Sequence, residues 1–303
     1  MADKKVFMFP GQGAQYVGMR SRMGVLSESA SEAFSRADEI VELPLSDIID
    51  RGPESELVRT SVTQPALLAM ARACSLLLEE RGYAADIVMG HSLGEYAALV
   101  YAGVIDYEQA LRIVRKRGLL MEGAAASAPG KMAAVIGSDR SELESLVKEC
   151  SSRGVLEITN YNSPQQVVLS GEKAAVDHAI NEINTGNIGK ALELNVSAPF
   201  HSSLMKPVAE DFRGFLAGFS FNVPHVMFID NVTGSPESDP ERIRDKLVQQ
   251  LFMPVQWEHS VLAAQQAGAV SFIECGPGSV LSGLVKRTVR GVEIRTGEKI
   301  LAG

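Results

Sequence analysis

Short apolar runs closed by glycine or proline alternate along this chain with longer stretches of helical spacing. Val6-Phe7-Met8-Phe9 is such a run, closed by Pro10-Gly11, and it predicts a buried strand over 6–9. A glycine-rich loop, Gly11-Gln12-Gly13-Ala14-Gln15, comes next. Helical spacing then covers 31–39 and, more strongly, 65–80, where Leu67, Leu68, Ala71, Leu76 and Leu78 share an apolar face. Pro65 fits the first turn of that helix, where its missing N–H costs nothing. A second strand is predicted at 87–89 and a helix from Glu95.

The rhythm changes after the alanine-rich stretch 124–129, which is followed by Gly130 and reads as a linker. Strands at 132–136, 156–160, 167–170 and 191–196 then interleave with helices at 140–150 and 172–183. Asp139 or Ser138 can cap the first of these helices. The order is βαββαβ, the ferredoxin-like pattern. Residues 127–197 therefore read as a small inserted subdomain, carried by a larger one made of 1–126 and 198–303. In the last third, helices are predicted from Pro207 to 216, over 243–252 and over 257–266. Strands are predicted at 226–229 and 270–274, and a final helix after Gly276-Pro277-Gly278 through 285. With 27 glycines and few aromatics, the whole indicates an α/β fold.

Charge and composition act mainly by exclusion. The 29 Lys and Arg stand against 37 Asp and Glu, and a net charge of −8 argues against nucleic acid or an anionic membrane as partner. The run 6–9 is too short for a signal-peptide core. No stretch reads as the roughly 18 apolar residues of a membrane span. Cys74, Cys150 and Cys275 form no CxxC pair and are odd in number, so neither a disulfide framework nor a zinc site is indicated. A reducing cytoplasm is the simplest setting, no metal or prosthetic group is implied, and a monomer is the default.

Gly90-His91-Ser92-Leu93-Gly94 is a G-x-S-x-G between a predicted strand and a predicted helix. In that context the turn presents the Ser92 hydroxyl as a nucleophile, and the Leu93 N–H at the helix start can stabilise an oxyanion. A plain turn is the alternative reading. A serine nucleophile needs a base, and there are five histidines. His91 adjoins the serine and should point elsewhere; His178 lies in a solvated-looking helix; His225 is in a loop; His259 reads as a packing or surface residue. His201 follows a predicted strand end, where α/β folds place functional groups, and is the choice by position, with a structural histidine as the alternative. No acid stands out as a third member, but a backbone carbonyl can orient an imidazole. Arg115 and Arg117 lie on one helix; either is a solvated basic residue or a clamp for a carboxylate, and spacing does not separate them. The Gly11-Gln12-Gly13 loop does not complete a nucleotide-binding G-x-G-x-x-G and reads instead as a source of a second oxyanion N–H.

These residues, with others in the same order, resemble the malonyl-CoA:acyl carrier protein transacylases and the related acyltransferase domains of polyketide synthases. The resemblance covers nearly the whole chain: Phe9-Pro10-Gly11-Gln12-Gly13, Thr63-Gln64-Pro65-Ala66, Gly90 to Glu95, Arg117-Gly118, Asn162-Ser163-Pro164, Pro199-Phe200-His201-Ser202, Met205-Lys206-Pro207 and Gly276-Pro277-Gly278. It implies Ser92 as nucleophile and His201 as base, oriented by the main-chain carbonyl of Gln250. Arg117 is similar to the arginine that binds the malonyl carboxylate. Gln12 and Leu93 look like the oxyanion donors, and Phe200 and Asn162 like further substrate-binding residues; Phe200 would crowd a methyl branch and favour malonyl. The implied fold is an α/β-hydrolase-like core with a ferredoxin-like insert. The implied reaction moves malonyl from malonyl-CoA, a substrate rather than a cofactor, to an acyl carrier protein for fatty-acid synthesis. Other readings are a stand-alone polyketide acyltransferase, a serine thioesterase or esterase, and a non-catalytic docking module. An acidic carrier would need local positive charge, for which Lys190, Lys206, Lys286 and Arg287 are candidates. Glu122, Met253 and Cys275 depart from the family pattern without touching the implied chemistry.

Overall fold

Strands whose side chains alternate faces must find partners on both sides, and that rule organises the larger sheet. The computed structural model describes residues 3–127, 129–196 and 198–302. Strands β1 (Lys4–Phe9) and β2 (Ile87–Gly90) belong to this sheet; the chain then makes β3 (Gly130–Ile136), β4 (Leu156–Ser163), β5 (Gln166–Glu172) and β6 (Lys190–Glu193) before returning to it as β7 (Met227–Ile229), β8 (Ala269–Glu274) and β9 (Glu293–Thr296). The order β7-β2-β1-β8-β9 is parallel throughout. Phe7 and Phe9 of β1 enter one apolar cluster and Val6 and Met8 another, which is why the run 6–9 is apolar without alternation. All the carboxyl ends of a parallel sheet lie along one edge, so β1 and β2 deliver their following loops to the same place.

Strands β3 to β6 form a separate antiparallel sheet in the order β4-β5-β3-β6. With the helices Arg140–Cys150 and Lys173–Thr185 they realise the βαββαβ order read from the sequence. Asp139 caps the first helix, accepting from the N–H groups of Ser141 and Glu142. Ala133, Val135, Val167 and Leu169 pack against those helices, while Met132, Ala134 and Val168 face the other way, into a cleft. The register of β4 slips between Ile158 and Asn160. That irregularity moves Asn160 and Asn162 to the cleft face, although simple alternation would put them with Leu156 and Ile158. Backbone hydrogen bonds Tyr161 N–H to Val255 O and Val255 N–H to Thr159 O, each 2.9 Å, tie this sheet to the rest.

Several expectations are corrected. The helix expected over 65–80 spans Thr60–Glu80, so Pro65 lies inside it. Proline leaves the Ser61 carbonyl without its helical donor, and Arg115 Nη1 supplies one at 2.8 Å. The same helix is long and apolar enough to cross a membrane by length and composition, contrary to the sequence reading; 89% of its apolar window is buried inside the fold, where it serves the core. The expected linker 124–129 is mostly helix, because Tyr107–Ser127 is continuous and alanine favours helix. Ala128 in that stretch, and Ser197 next to the expected boundary at 198, lie outside the described residues. The helix Val280–Thr288 is not the last element: β9 and a short helix, Gly297–Leu301, follow. Three of the four β9 residues are polar, as an edge strand allows, so they carry little strand signal.

Candidate active site

The turn between β2 and the helix Gly94–Tyr101 is sterically extreme. A Cβ on Gly90 would lie 2.0 Å from the Gly94 carbonyl, and one on Gly94 would lie 1.9 Å from the Phe9 oxygen. Only glycine fits either place. Between them Ser92 takes φ +50°, a left-handed conformation costly for a residue with a Cβ, and its hydroxyl lines the cleft. His201 is also left-handed, at φ +60°. Its Nδ1 lies 2.6 Å from the Gln250 carbonyl, which can only accept, so Nδ1 carries the proton. Nε2 is then a free lone pair, 2.8 Å from Ser92 Oγ. Burial, and secondarily the charge of Arg117, pushes the His201 pKa down to about 3, so the ring rests as the neutral base.

Arg117 is 1% exposed and reaches the site from the Tyr107–Ser127 helix. Its Nη2 donates to Ser92 Oγ at 3.1 Å and to Gln250 Oε1 at 3.0 Å, and its Cζ lies 5.7 Å from the centre of the Tyr96 ring. Its Nε has no hydrogen-bond partner, and among the described residues no carboxylate lies within ion-pair distance of it, Glu95 being separated from it by the Gln250 amide. Burial lowers its pKa. Arg115, by contrast, is spent on the Ser61 carbonyl left open by Pro65, which separates the two arginines.

Gln12 and Leu93 border the same cleft, and among the described residues neither backbone N–H is taken by another group of the protein. The cleft, of about 230 Å³, lies between the loops of the parallel sheet and the open face of the antiparallel one. Phe200 and Asn162 line it, and Asn162 Oδ1 is 2.9 Å from His91 Nε2. His91, expected to point elsewhere, lines the cleft as well, its ring 5.7 Å from that of Trp257. The other histidines stand apart: His178 pairs with Glu182 at 3.7 Å, and His225 and His259 are exposed. Lys190, Lys206, Lys286 and Arg287 are all exposed. Glu122 accepts from the Ser61 N–H at 2.8 Å, Met253 is exposed, and Cys275 is buried against the Ile273 carbonyl.

A family model for the acyl transferase domain matches residues 6–301. The malonyl CoA-acyl carrier protein transacylase of Escherichia coli is 42% identical over 284 residues, 93% of this chain and 92% of that one. An acyl carrier protein S-malonyltransferase from Vibrio cholerae has a crystal structure that superposes with a TM-score of 0.92 at 39% identity, covering 97% of this chain and 96% of its own. A malonyl transacylase solved in complex with its type II polyketide synthase acyl carrier protein gives 0.93 at 39% identity, over 97% and 96% of the chains. The chain belongs to the acyl transferase family.

In this acyltransferase the arrangement can carry out nucleophilic attack on an acyl carbonyl: a hydroxyl, a neutral imidazole held by a carbonyl, and two free N–H groups share one cleft. Four residues escaped the sequence reading. Asn160 reaches the cleft only through the slip in β4. Asp230 and Asn231 follow β7 directly, so the strand-end argument that found His201 could have found them. Asn231 Oδ1 accepts from the Ser92 N–H at 2.6 Å, and Asp230 pairs with Lys246 at 2.8 Å. Glu95, the residue after the acyltransferase G-x-S-x-G, is 2% exposed beneath the site.

Proposed function

We propose that this acyltransferase moves a malonyl group from malonyl-CoA to the phosphopantetheine thiol of an acyl carrier protein, through an ester on Ser92. The observation that carries the reading is a buried arginine that forms no ion pair among the described residues, 3.1 Å from a serine whose histidine base is in place. A dicarboxylic acyl group supplies the missing anion; a neutral one leaves the guanidinium buried and unpaired.

Ser92 Oγ attacks the thioester carbon while its proton passes to His201 Nε2. The N–H groups of Gln12 and Leu93 hold the oxyanion, each worth roughly 3 kcal/mol. The C–S bond breaks and coenzyme A leaves as the thiol, taking the proton from His201. The carrier thiol then attacks the ester carbon, its proton goes to His201, and the C–O bond breaks to restore Ser92. Arg117 holds the distal carboxylate throughout. Its charge also depresses the basicity of His201, so the incoming carboxylate, by neutralising it, turns the histidine into a better base. Selection for malonyl therefore operates on the acylation rate as well as on binding. Phe200, beside His201 on the cleft wall, crowds a branch at the malonyl α-carbon.

No metal or prosthetic group enters this scheme. The parallel sheet is read as an α/β-hydrolase-like core, residues 1–126 and 198–303, and the antiparallel one as a ferredoxin-like subdomain, 127–197. The three buried free cysteines suit a reducing cytoplasm, and a monomer without nucleic-acid or membrane partners suits the acidic chain. Lys190, Lys206, Lys286 and Arg287 are offered as the surface for an acidic carrier. Fatty-acid synthesis is the favoured pathway; a stand-alone polyketide acyltransferase is the second, favoured by the similar enzyme solved with a polyketide carrier. Intact-protein mass spectrometry after mixing with malonyl-CoA tests the reading. A malonyl-sized gain is expected on the wild type, absent from Ser92→Ala and discharged by phosphopantetheinylated carrier. Free malonate with no carrier present would identify a hydrolase instead.

A further inference from the structure

Beneath Ser92 and His201 lies a buried carboxylate that the proposed steps do not use. Glu95 sits in the first turn of the Gly94–Tyr101 helix, and each of its oxygens receives an N–H. Oε1 accepts from the backbone N–H of Asn231 at 2.9 Å, and Oε2 accepts from Gln250 Nε2. Both partners reach the reacting groups. Asn231 spans the strained turn: its Oδ1 takes the Ser92 N–H at 2.6 Å and its Nδ2 gives to the Gly90 carbonyl at 2.6 Å. Gln250 gives its Nε2 to the Ser92 carbonyl at 2.9 Å, takes Arg117 on Oε1, and holds His201 with its main-chain carbonyl. The orientation of the Gln250 amide is set by chemistry: Arg117 can only donate and the Ser92 carbonyl can only accept. Glu95 therefore faces two donors, and the ionised carboxylate, whose oxygens can only accept, matches both.

We propose that Glu95 is a positioning residue that, as a carboxylate, locks Asn231 to Gln250 and so holds the Ser92 turn and His201 in reacting register. The inference rests on Ser92 and His201 being nucleophile and base. Three charged groups face this carboxyl or its neighbour. Asp230, in the loop after β7, repels it; Arg117, on the Tyr107–Ser127 helix, attracts it; Lys246, on Pro240–Gln249, holds Asp230 at 2.8 Å and Glu237 at 3.0 Å. Burial first, then Asp230, pushes the Glu95 pKa up to about 8. On protonation the bonds lose their charge assistance and one oxygen carries an O–H beside a donor, so the lock loosens.

The test is single-turnover acylation of Ser92 by malonyl-CoA, followed from about pH 6 to about pH 9.5 in the wild type, Glu95→Gln and Asp230→Asn. The wild-type rate is expected to rise with pH through a midpoint at or above about 8, because bound malonyl offsets the Arg117 charge that holds Glu95 down; His201, kept below this range by burial, contributes no limb in it. Glu95→Gln is expected to be flat with pH and about tenfold to a hundredfold below the wild-type plateau, with half-saturation by malonyl-CoA changed less than about twofold. Asp230→Asn removes the repulsion and is expected to move the midpoint to lower pH. A flat wild-type profile overturns the proposal even if a variant does not fold, as does a Glu95→Gln enzyme with the wild-type limb and plateau. Should Ser92→Ala still take up malonyl, the dyad reading itself fails. Should acylation depend on Ser92 while Glu95→Gln behaves as wild type, only the role of Glu95 falls.

Discussion

The two sheets meet at one cleft but contribute different things to it. The parallel sheet offers strand ends: the Ser92 turn after β2, the Gln12 loop after β1 and Asn231 after β7, each fixed by backbone geometry and close packing. The antiparallel sheet offers a face, with Met132, Ala134, Val168, Asn160 and Asn162 set out along β3, β5 and β4 as a wall. Parallel strands buried on both sides have only their ends free for chemistry, whereas a sheet packed on one side has a whole surface to give. In this protein reactive groups therefore lie on one partner and cleft shape on the other.

Three predictions sharpen that contrast. The largest concerns Arg117, which belongs to the reactive side. Arg117→Ala should lower malonyl transfer to Ser92 by roughly 10²- to 10³-fold, the cost of losing one partner of a buried pair. Acetyl transfer should be unchanged or faster, because His201 loses a repelling charge. Equal loss of both rates, measured by coenzyme A release, would remove the clamp. A smaller effect is expected from Leu169→Ala, in the cluster behind the wall. It should cost about 3 kcal/mol of stability by cavity formation, read by chemical denaturation. Hydrogen exchange should quicken in β3 to β6 well before the parallel sheet, and acylation by the folded enzyme should change less than about threefold. Exchange rising equally in both sheets would show that they open as one unit.

The smallest prediction is a pH effect on folding. The Glu95 pKa stands above its unfolded value, so the native state holds a proton that the unfolded chain has released. That stabilisation is complete below about pH 4.5 and is lost as pH rises through about 8. Between about pH 6 and pH 8 the wild type should therefore lose about 2 kcal/mol relative to Glu95→Gln in urea unfolding. Parallel curves would mean that Glu95 ionises as freely in the fold as outside it. If the shift appears together with the acylation limb, the reactive side carries a stability cost in exchange for order at Ser92.

Legibility differed between the two sides for the same reason. Ser92, Leu93 and the glycines around them are one short motif whose strain is local, so the sequence exposes it. The βαββαβ order was also readable, because alternation and helical spacing are properties of neighbouring residues. The end of the helix 107–127 is hidden because Ala124 to Pro129 looks equally like a linker, and β9 carries little signal because an edge strand needs little apolar pattern.

The sequence by itself determined the kind of fold, the nucleophile turn and a short set of partners for it, since each rests on contacts within a few residues. Tertiary structure decided which arginine faces the serine, because the Ser61 carbonyl opened by Pro65 captures Arg115 across a helix–helix contact. It decided that Asn160 and Asn162 look into the cleft, through a one-residue slip against β5 that alternation does not foresee. It also placed Glu95, Asn231 and Gln250, separated by up to 155 positions, in one hydrogen-bonded cluster. Such contacts depend on how distant segments pack and on which buried polar groups are left needing a partner, and no local pattern records that.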